Sequence, residues 1–299
     1  MINFFKYLSI TIKGICMGAA DVIPGVSGGT IAFLMGIYQE LVDSIKAIVP
    51  NFKYLLQGKI SLFWKNINGV FLVSLISGIL ISVFSLARLM TYLLHYHPIE
   101  LWSFFFGLIL ASSVYILKDI DKWNFKNIIS LIIGIAIAAY ICLVSPSETP
   151  DAYWFIFLSG AIAICAMILP GISGSFILLL MGKYKFIMSA VTELNLPVLL
   201  IFAAGAILGI LLFSHFLSWL LKKYYMMTIS LLSGFMIGSL IKVWPWKEVL
   251  SEGIDYPVLP NRFAEITGTS TQLTGALIFL IVGVIAVFVI EFFAVKKRK

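Results

Sequence analysis

The amino-acid sequence predicts an all-α polytopic membrane protein made of two similar halves that insert in opposite senses. Three observations predict this. The 299 residues are 61% hydrophobic and 12% charged, with a mean hydropathy of +1.05, whereas soluble domains carry about 25% charged residues. Residues 14–38 recur as 160–184 without a gap, at an offset of 146, with 11 identities in 25 positions. At the centre of each copy a Pro-Gly pair interrupts an apolar run. In lipid such a break survives only where protein or a water-filled cavity surrounds it.

The first copy reads Pro24-Gly25-Val26-Ser27-Gly28-Gly29-Thr30, and the second Pro170-Gly171-Ile172-Ser173-Gly174-Ser175. Pro and Gly stop one helix, and small residues with exposed N–H groups open the next. The first half, 1–147, is therefore a broken pair (about 4–22 and 26–46) followed by helices near 70–94, 98–118 and 127–145. The second half, 148–299, is a pair near 153–169 and 172–192, then helices near 197–221, 226–241 and 272–293. A full span needs about 20 apolar residues. The pair members fall near that limit, so each pair is either two spans or one re-entrant hairpin. Beyond the pairs the offset falls to 127, matching Gly78 with Gly205, Gly107 with Gly234, and Arg88 with His215.

Either choice gives each half an odd number of crossings, so similar halves must be inverted. The charges agree with this. With the N-terminus inside, cytoplasmic loops hold Lys46, Lys53, Lys59 and Lys65, then Lys118, Lys122 and Lys126, then Lys222 and Lys223, and last the tail 296–299. External loops hold His95, His97, Glu148 and Asp151, with Lys183 and Lys185 as the one discord. Both termini are expected in the cytoplasm. The net charge of +7 thus orients the chain in the bilayer and is no sign of nucleic acid. Cys16, Cys142 and Cys165 lie in apolar runs without metal-ligand or disulfide spacing, so no metal or cofactor is expected. Lys6, Lys13 and Gly18-Ala19-Ala20 imitate a signal peptide, but cleavage would destroy a repeat copy. Residues 51–68 read either as an amphipathic helix on the inner leaflet or as a basic loop with aromatic anchors. The segment 242–271 reads as an extracytoplasmic cap.

A helix that starts after each Pro-Gly pair aims its N-terminus, with about half a positive charge, into the gap. Ser27, Thr30, Ser173 and Ser175 add hydroxyls, while Gly28, Gly29 and Gly174 permit close approach to the backbone. Two such copies in opposed halves point to an anion site in a transporter. Asp21, deep in an apolar run, either exchanges a coupling proton or cation or holds the broken backbone; Met167 replaces it in the second half. Arg88 can pair a phosphate or snorkel to headgroups. His215 is a phosphate contact or a packing histidine, and Tyr38 and Tyr184 are secondary contacts or interfacial anchors. Gly25-Val26-Ser27-Gly28 and Gly171-Ile172-Ser173-Gly174 also match the Gly-x-Ser-Gly of intramembrane serine proteases. That alternative requires a base within reach of serine.

At these residues the chain resembles the PopT polyprenyl-phosphate transporters, formerly a bacterial and archaeal domain of unknown function. The resemblance rests on 18–30, on 169–175, and on the endings Gly36-Ile37-Tyr38 and Gly182-Lys183-Tyr184. It implies a flippase without enzymatic activity in the cytoplasmic membrane. That flippase would return undecaprenyl phosphate from the outer to the inner leaflet for reuse in cell-wall synthesis. The residues themselves reach only to an anion met by two helix N-termini, which leaves a small soluble anion as the other transporter reading.

Overall fold

The computed structural model describes residues 2–295 apart from Pro24, Asp119, Asp121, Lys122, Glu148, Glu252 and Gly253. Side chains are described over the same residues except 2–3, 87, 249–251, 254 and 291–295. Pro24 of the first motif, the loop charges Lys122 and Glu148, and the basic tail 296–299 lie outside the described residues.

The first part of the chain forms α1 (Ile2–Asp21), α2 (Gly28–Leu34), α3 (Tyr38–Lys46), α4 (Ile48–Leu56), α5 (Ile60–Asn66), α6 (Gly69–Tyr96), α7 (Pro98–Lys118) and α8 (Phe125–Leu143). Then follow α9 (Tyr153–Ile168), α10 (Gly174–Leu180), α11 (Tyr184–Thr192), α12 (Leu196–Lys223) and α13 (Tyr225–Gly238) with a 3-10 turn (Ser239–Ile241). The chain ends with β1 (Lys247–Ser251), β2 (Ile254–Pro257), α14 (Pro260–Thr267) and α15 (Leu273–Val295). Five helices among the described residues are long and apolar enough to cross a membrane: α6, α7, α8, α12 and α15. The all-α polytopic class stands.

The pairs differ from expectation in one respect. The runs 26–46 and 172–192 read as single helices, but each breaks again after seven residues, at Gly36 and Gly182. In both, the glycine sits at positive φ, 67° and 63°. Ile37 N donates to Ala32 O at 3.0 Å and Gly36 N to Phe33 O at 3.2 Å; Lys183 N and Gly182 N repeat this with Leu178 O and Leu179 O. These are Schellman closures, which satisfy the last carbonyls of a helix through a left-handed residue that glycine adopts without steric cost. The second closure bends α10 against α11 by 110°.

The described chain divides into two compact units, with a boundary inside α6. One holds residues 1–87, 148–169 and 173–225, the other 88–147, 170–172 and 226–299. In the first unit, α1 crosses α6 with Gly14 against Leu75 O and Gly78 against Thr11 O, while α9 crosses α12 with Gly160 against Phe202 O and Gly205 against Phe157 O. A Cβ at any of these glycines would fall within 2.3 Å of the facing carbonyl. Close backbone approach through small residues is how helices associate in lipid. In the second unit Gly107 of α7 meets Leu280 O of α15, and Gly234 of α13 meets Leu131 O of α8. The glycines that the alignments match thus occupy matching crossings.

The segment 51–68 is helical rather than a loop, forming most of α4 and α5. The segment after α13 is folded too. Trp246 is buried against Ile99 and Ala276, and its Nε1 donates to Thr271 O at 2.8 Å. Asp255 pairs with Lys242 and with Lys247 at 3.2 Å, and Lys247 sits 3.7 Å over the Trp102 ring. Burial pulls the Lys247 ammonium down to about 8, against the opposing attraction of Asp255.

Candidate functional site

The first break is a turn. Val26 N donates back to Ile23 O at 3.1 Å around Gly25, whose φ of 93° suits the third position of a type II turn after proline. Gly171 has the same conformation, φ 87°. Each turn delivers an extended serine to the N-cap of a short helix. Ser27 Oγ accepts from Gly29 N at 3.1 Å, and Ser173 Oγ accepts from Phe176 N at 3.2 Å. Serine is favoured here because its oxygen satisfies an orphan N–H of the first turn.

These serines also reach the other copy. Ser27 Oγ faces Met167 O at 3.2 Å and Leu169 O at 3.3 Å, the closing carbonyls of α9. Ser173 Oγ accepts from Gly25 N at 3.4 Å and is hydrogen-bonded to Ser175 Oγ at 2.8 Å. Gly29 lies so close to the end of α9 that an added Cβ would sit 2.5 Å from Ile168 O. Two segments about 140 residues apart are joined inside one unit, with Ser27 and Ser173 both buried.

The amides are less open than the sequence suggested. Gly28 N donates to Asp21 Oδ1 at 2.7 Å, Gly29 N to Ser27 Oγ, and Thr30 N to Ser27 O at 3.0 Å. The α2 terminus already holds a carboxylate, the favourable charge for that end of a helix. At the second break Met167 stands where Asp21 would be. There the Gly174 and Ser175 amides have no acceptor among the described residues.

The other predicted residues are placed as follows. Arg88 is an exposed residue of α6 and belongs to the second unit. His215 Nδ1 bonds Leu211 O of its own helix at 2.7 Å. Tyr38 is buried against Phe33, ring centroids 5.1 Å apart, and its hydroxyl has no partner among the described residues. Tyr184 opens α11 at the surface.

Sequence reasoning missed the polar ties that hold the breaks. Lys13 Nζ donates to Met35 O at 2.7 Å, and Thr149 Oγ1 donates to the equivalent carbonyl, Met181 O. Lys183 is buried, paired with Asp151 and bonded to Thr149 O at 2.7 Å, so this discordant lysine is a neutralised structural charge. Asp43 of α3 accepts from Ser218 Oγ at 2.6 Å and pairs with Lys222 of α12 at 3.1 Å. No spacing rule connects residues so far apart, which is why these ties left no local signal.

The apolar helices define a multi-pass integral membrane protein. Residues 17–256 match the family model VCA0040-like, undecaprenyl phosphate translocase-like, and the chain belongs to this family. A protein of Vibrio cholerae named polyprenyl-phosphate transporter is 46% identical over 97% of this chain and 98% of its own length. One of Staphylococcus aureus with the same name is 38% identical over 81% of this chain and 87% of its own. No solved structure matches the chain. Relatives named as transporters rather than enzymes set the hydrolase alternative aside.

Proposed function

We propose that the chain carries undecaprenyl phosphate, or a related polyprenyl phosphate, from the outer to the inner leaflet of the bacterial cytoplasmic membrane. Both termini then lie in the cytoplasm, and the returned carrier lipid serves cell-wall synthesis. The substrate has a charged head and a tail at home in hydrocarbon, so the protein need shelter only the head. The observation that carries this reading is the mutual bonding of the two breaks through Ser27 and Ser173, which gathers Ser27, Gly28, Gly29, Thr30, Ser173, Gly174 and Ser175 into one polar cluster. The Ser173, Gly174 and Ser175 side of this cluster holds the phosphate, the first break being closed by Asp21 on Gly28 N, and Arg88 is a separate cationic contact along the path of the lipid. Asp21 is the candidate for coupling to a proton or cation. The two halves, 1–147 and 148–299, act as an inverted repeat whose rocking exposes the head to each side in turn.

The test is reconstitution into liposomes with undecaprenyl phosphate confined to one leaflet. Exchange between leaflets is expected for the parent, with at least a tenfold loss in the Ser27→Ala/Ser173→Ala and Arg88→Ala variants that remain folded. Parent-like exchange in both variants overturns the site. Exchange of inorganic phosphate with none of the lipid overturns the substrate.

A further inference from the structure

The connection between α3 and α6 consists of two short helices that expose apolar side chains. Neither α4 nor α5 buries a residue. Phe52, Leu55, Leu56, Ile60, Leu62 and Trp64 are all exposed, Leu56 and Ile60 at 76% and 64%. At 1.5 Å per residue these helices of nine and seven residues reach about 14 and 11 Å, less than half of a hydrocarbon core of about 30 Å.

The hairpin is nevertheless ordered. Gly58 turns at φ 71°, Lys59 N closes on Tyr54 O at 2.8 Å, and Asn66 Nδ2 donates to Asn51 Oδ1 at 2.8 Å. Residues 47–68 contain Lys53, Lys59 and Lys65 and no acid. Short helices with exposed aromatic and aliphatic side chains, and with lysine as their only charge, match the polar boundary of an anionic leaflet. There the apolar side chains enter the acyl region and each ammonium meets lipid phosphate.

We infer that the α4–α5 hairpin is an interfacial docking element whose partner is the surface of a leaflet rich in anionic, phosphate-headed lipid, read by Lys53, Lys59 and Lys65. This surface is separate from the transported lipid and from the interlocked breaks.

The test uses the full chain in nanodiscs of phosphatidylcholine, with or without phosphatidylglycerol. Cys16, Cys142 and Cys165 are replaced by alanine, and Leu56→Cys carries a fluorophore. A lipid-borne quencher is expected to reach the label several-fold better than aqueous iodide. Phosphatidylglycerol should strengthen that preference in the parent but not in Lys53→Gln/Lys59→Gln/Lys65→Gln. Preferential quenching by iodide in both lipids overturns the docking, as does excimer formation between labelled copies without lipid quenching. An undiminished phosphatidylglycerol response in the triple variant overturns the role of the lysines. Trypsin supplies a check on the unaltered chain: cleavage after Lys53 and Lys59 is expected to slow several-fold in anionic discs, and equal rates overturn the inference.

Discussion

At the first break the Asp21 carboxylate accepts from Gly28 N at 2.7 Å. At the second, Met167 occupies the matching position, and the Gly174 amide meets no acceptor among the described residues. Around this difference nearly everything else is duplicated. Both breaks have a glycine at positive φ before an N-cap serine, a seven-residue helix, and a Schellman closure at a second glycine. The duplication preserves the frame and varies the charge. One helix start holds a carboxylate from within, and at the other the Gly174 and Ser175 amides meet no acceptor among the described residues. On the function proposed above, the phosphate is drawn to the side of the second break, while Asp21 keeps the first from competing for it.

The largest expected effect separates two equivalent positions. Gly29 aligns with Ser175, yet a Cβ at Gly29 would lie 2.5 Å from Ile168 O and 3.0 Å from Met167 O. Both obstacles are backbone and cannot swing aside. Gly29→Ala is expected to destabilise by about 1–3 kcal/mol, the usual cost of overpacking. Ser175→Ala removes only the hydroxyl bonded to Ser173 and should cost under about 1 kcal/mol. Thermal unfolding of the two purified variants in detergent measures the difference. Equal midpoints would show that α2 is not pressed against the end of α9.

Asp21 and Met167 test the charge difference directly. Asp21→Ala leaves the buried Gly28 amide unpaired, at a cost of about 1–3 kcal/mol. Asp21→Asn retains an acceptor oxygen and should recover most of that stability. If Asp21 only braces the backbone, Asp21→Asn transports as the parent does; if its charge couples the cycle, exchange falls although the midpoint holds. Met167→Asp installs a carboxylate beside the second helix start and is expected to lower exchange at least tenfold. Parent-like exchange in Met167→Asp would break the proposed division between the two sides.

Much of this comparison was legible in the sequence because the motif is contiguous. A gapless repeat of 25 residues fixes the two turns, the N-cap serines and the replacement of Asp21 by Met167. The long apolar helices were equally plain: the expected 98–118 coincides with α7. What escaped was of two kinds. Gly36 and Gly182 were recognised as identities, yet the apolar runs around them hid their role as C′ residues. The long-range bonds left no trace at all, since hydroxyl-to-carbonyl contacts such as Ser27 to Met167 constrain distance in space and not spacing in the chain. The occupied Gly28 amide belongs to the same kind, although a carboxylate deep in an apolar run already points either to coupling or to holding the broken backbone.

The smallest expected effect concerns how each short helix ends. The carbonyls of Met35 and Met181 are equivalent, but an ammonium group serves one and a hydroxyl the other. A charge-assisted bond from lysine contributes more than a neutral one from threonine, about twice as much for comparable geometry. Lys13→Met keeps the apolar stem and removes the donor, while Thr149→Val keeps the shape and removes the hydroxyl. Losses of about 1.5–3 and 0.5–1.5 kcal/mol bracket the two bonds, and each Met carbonyl that finds water instead will show less. The expected order is therefore Lys13→Met below Thr149→Val in unfolding midpoint, with a gap smaller than that between Gly29→Ala and Ser175→Ala. A reversed order would mean that the difference between the breaks ends at Asp21 and that the far ends of the two helices are held with equal strength.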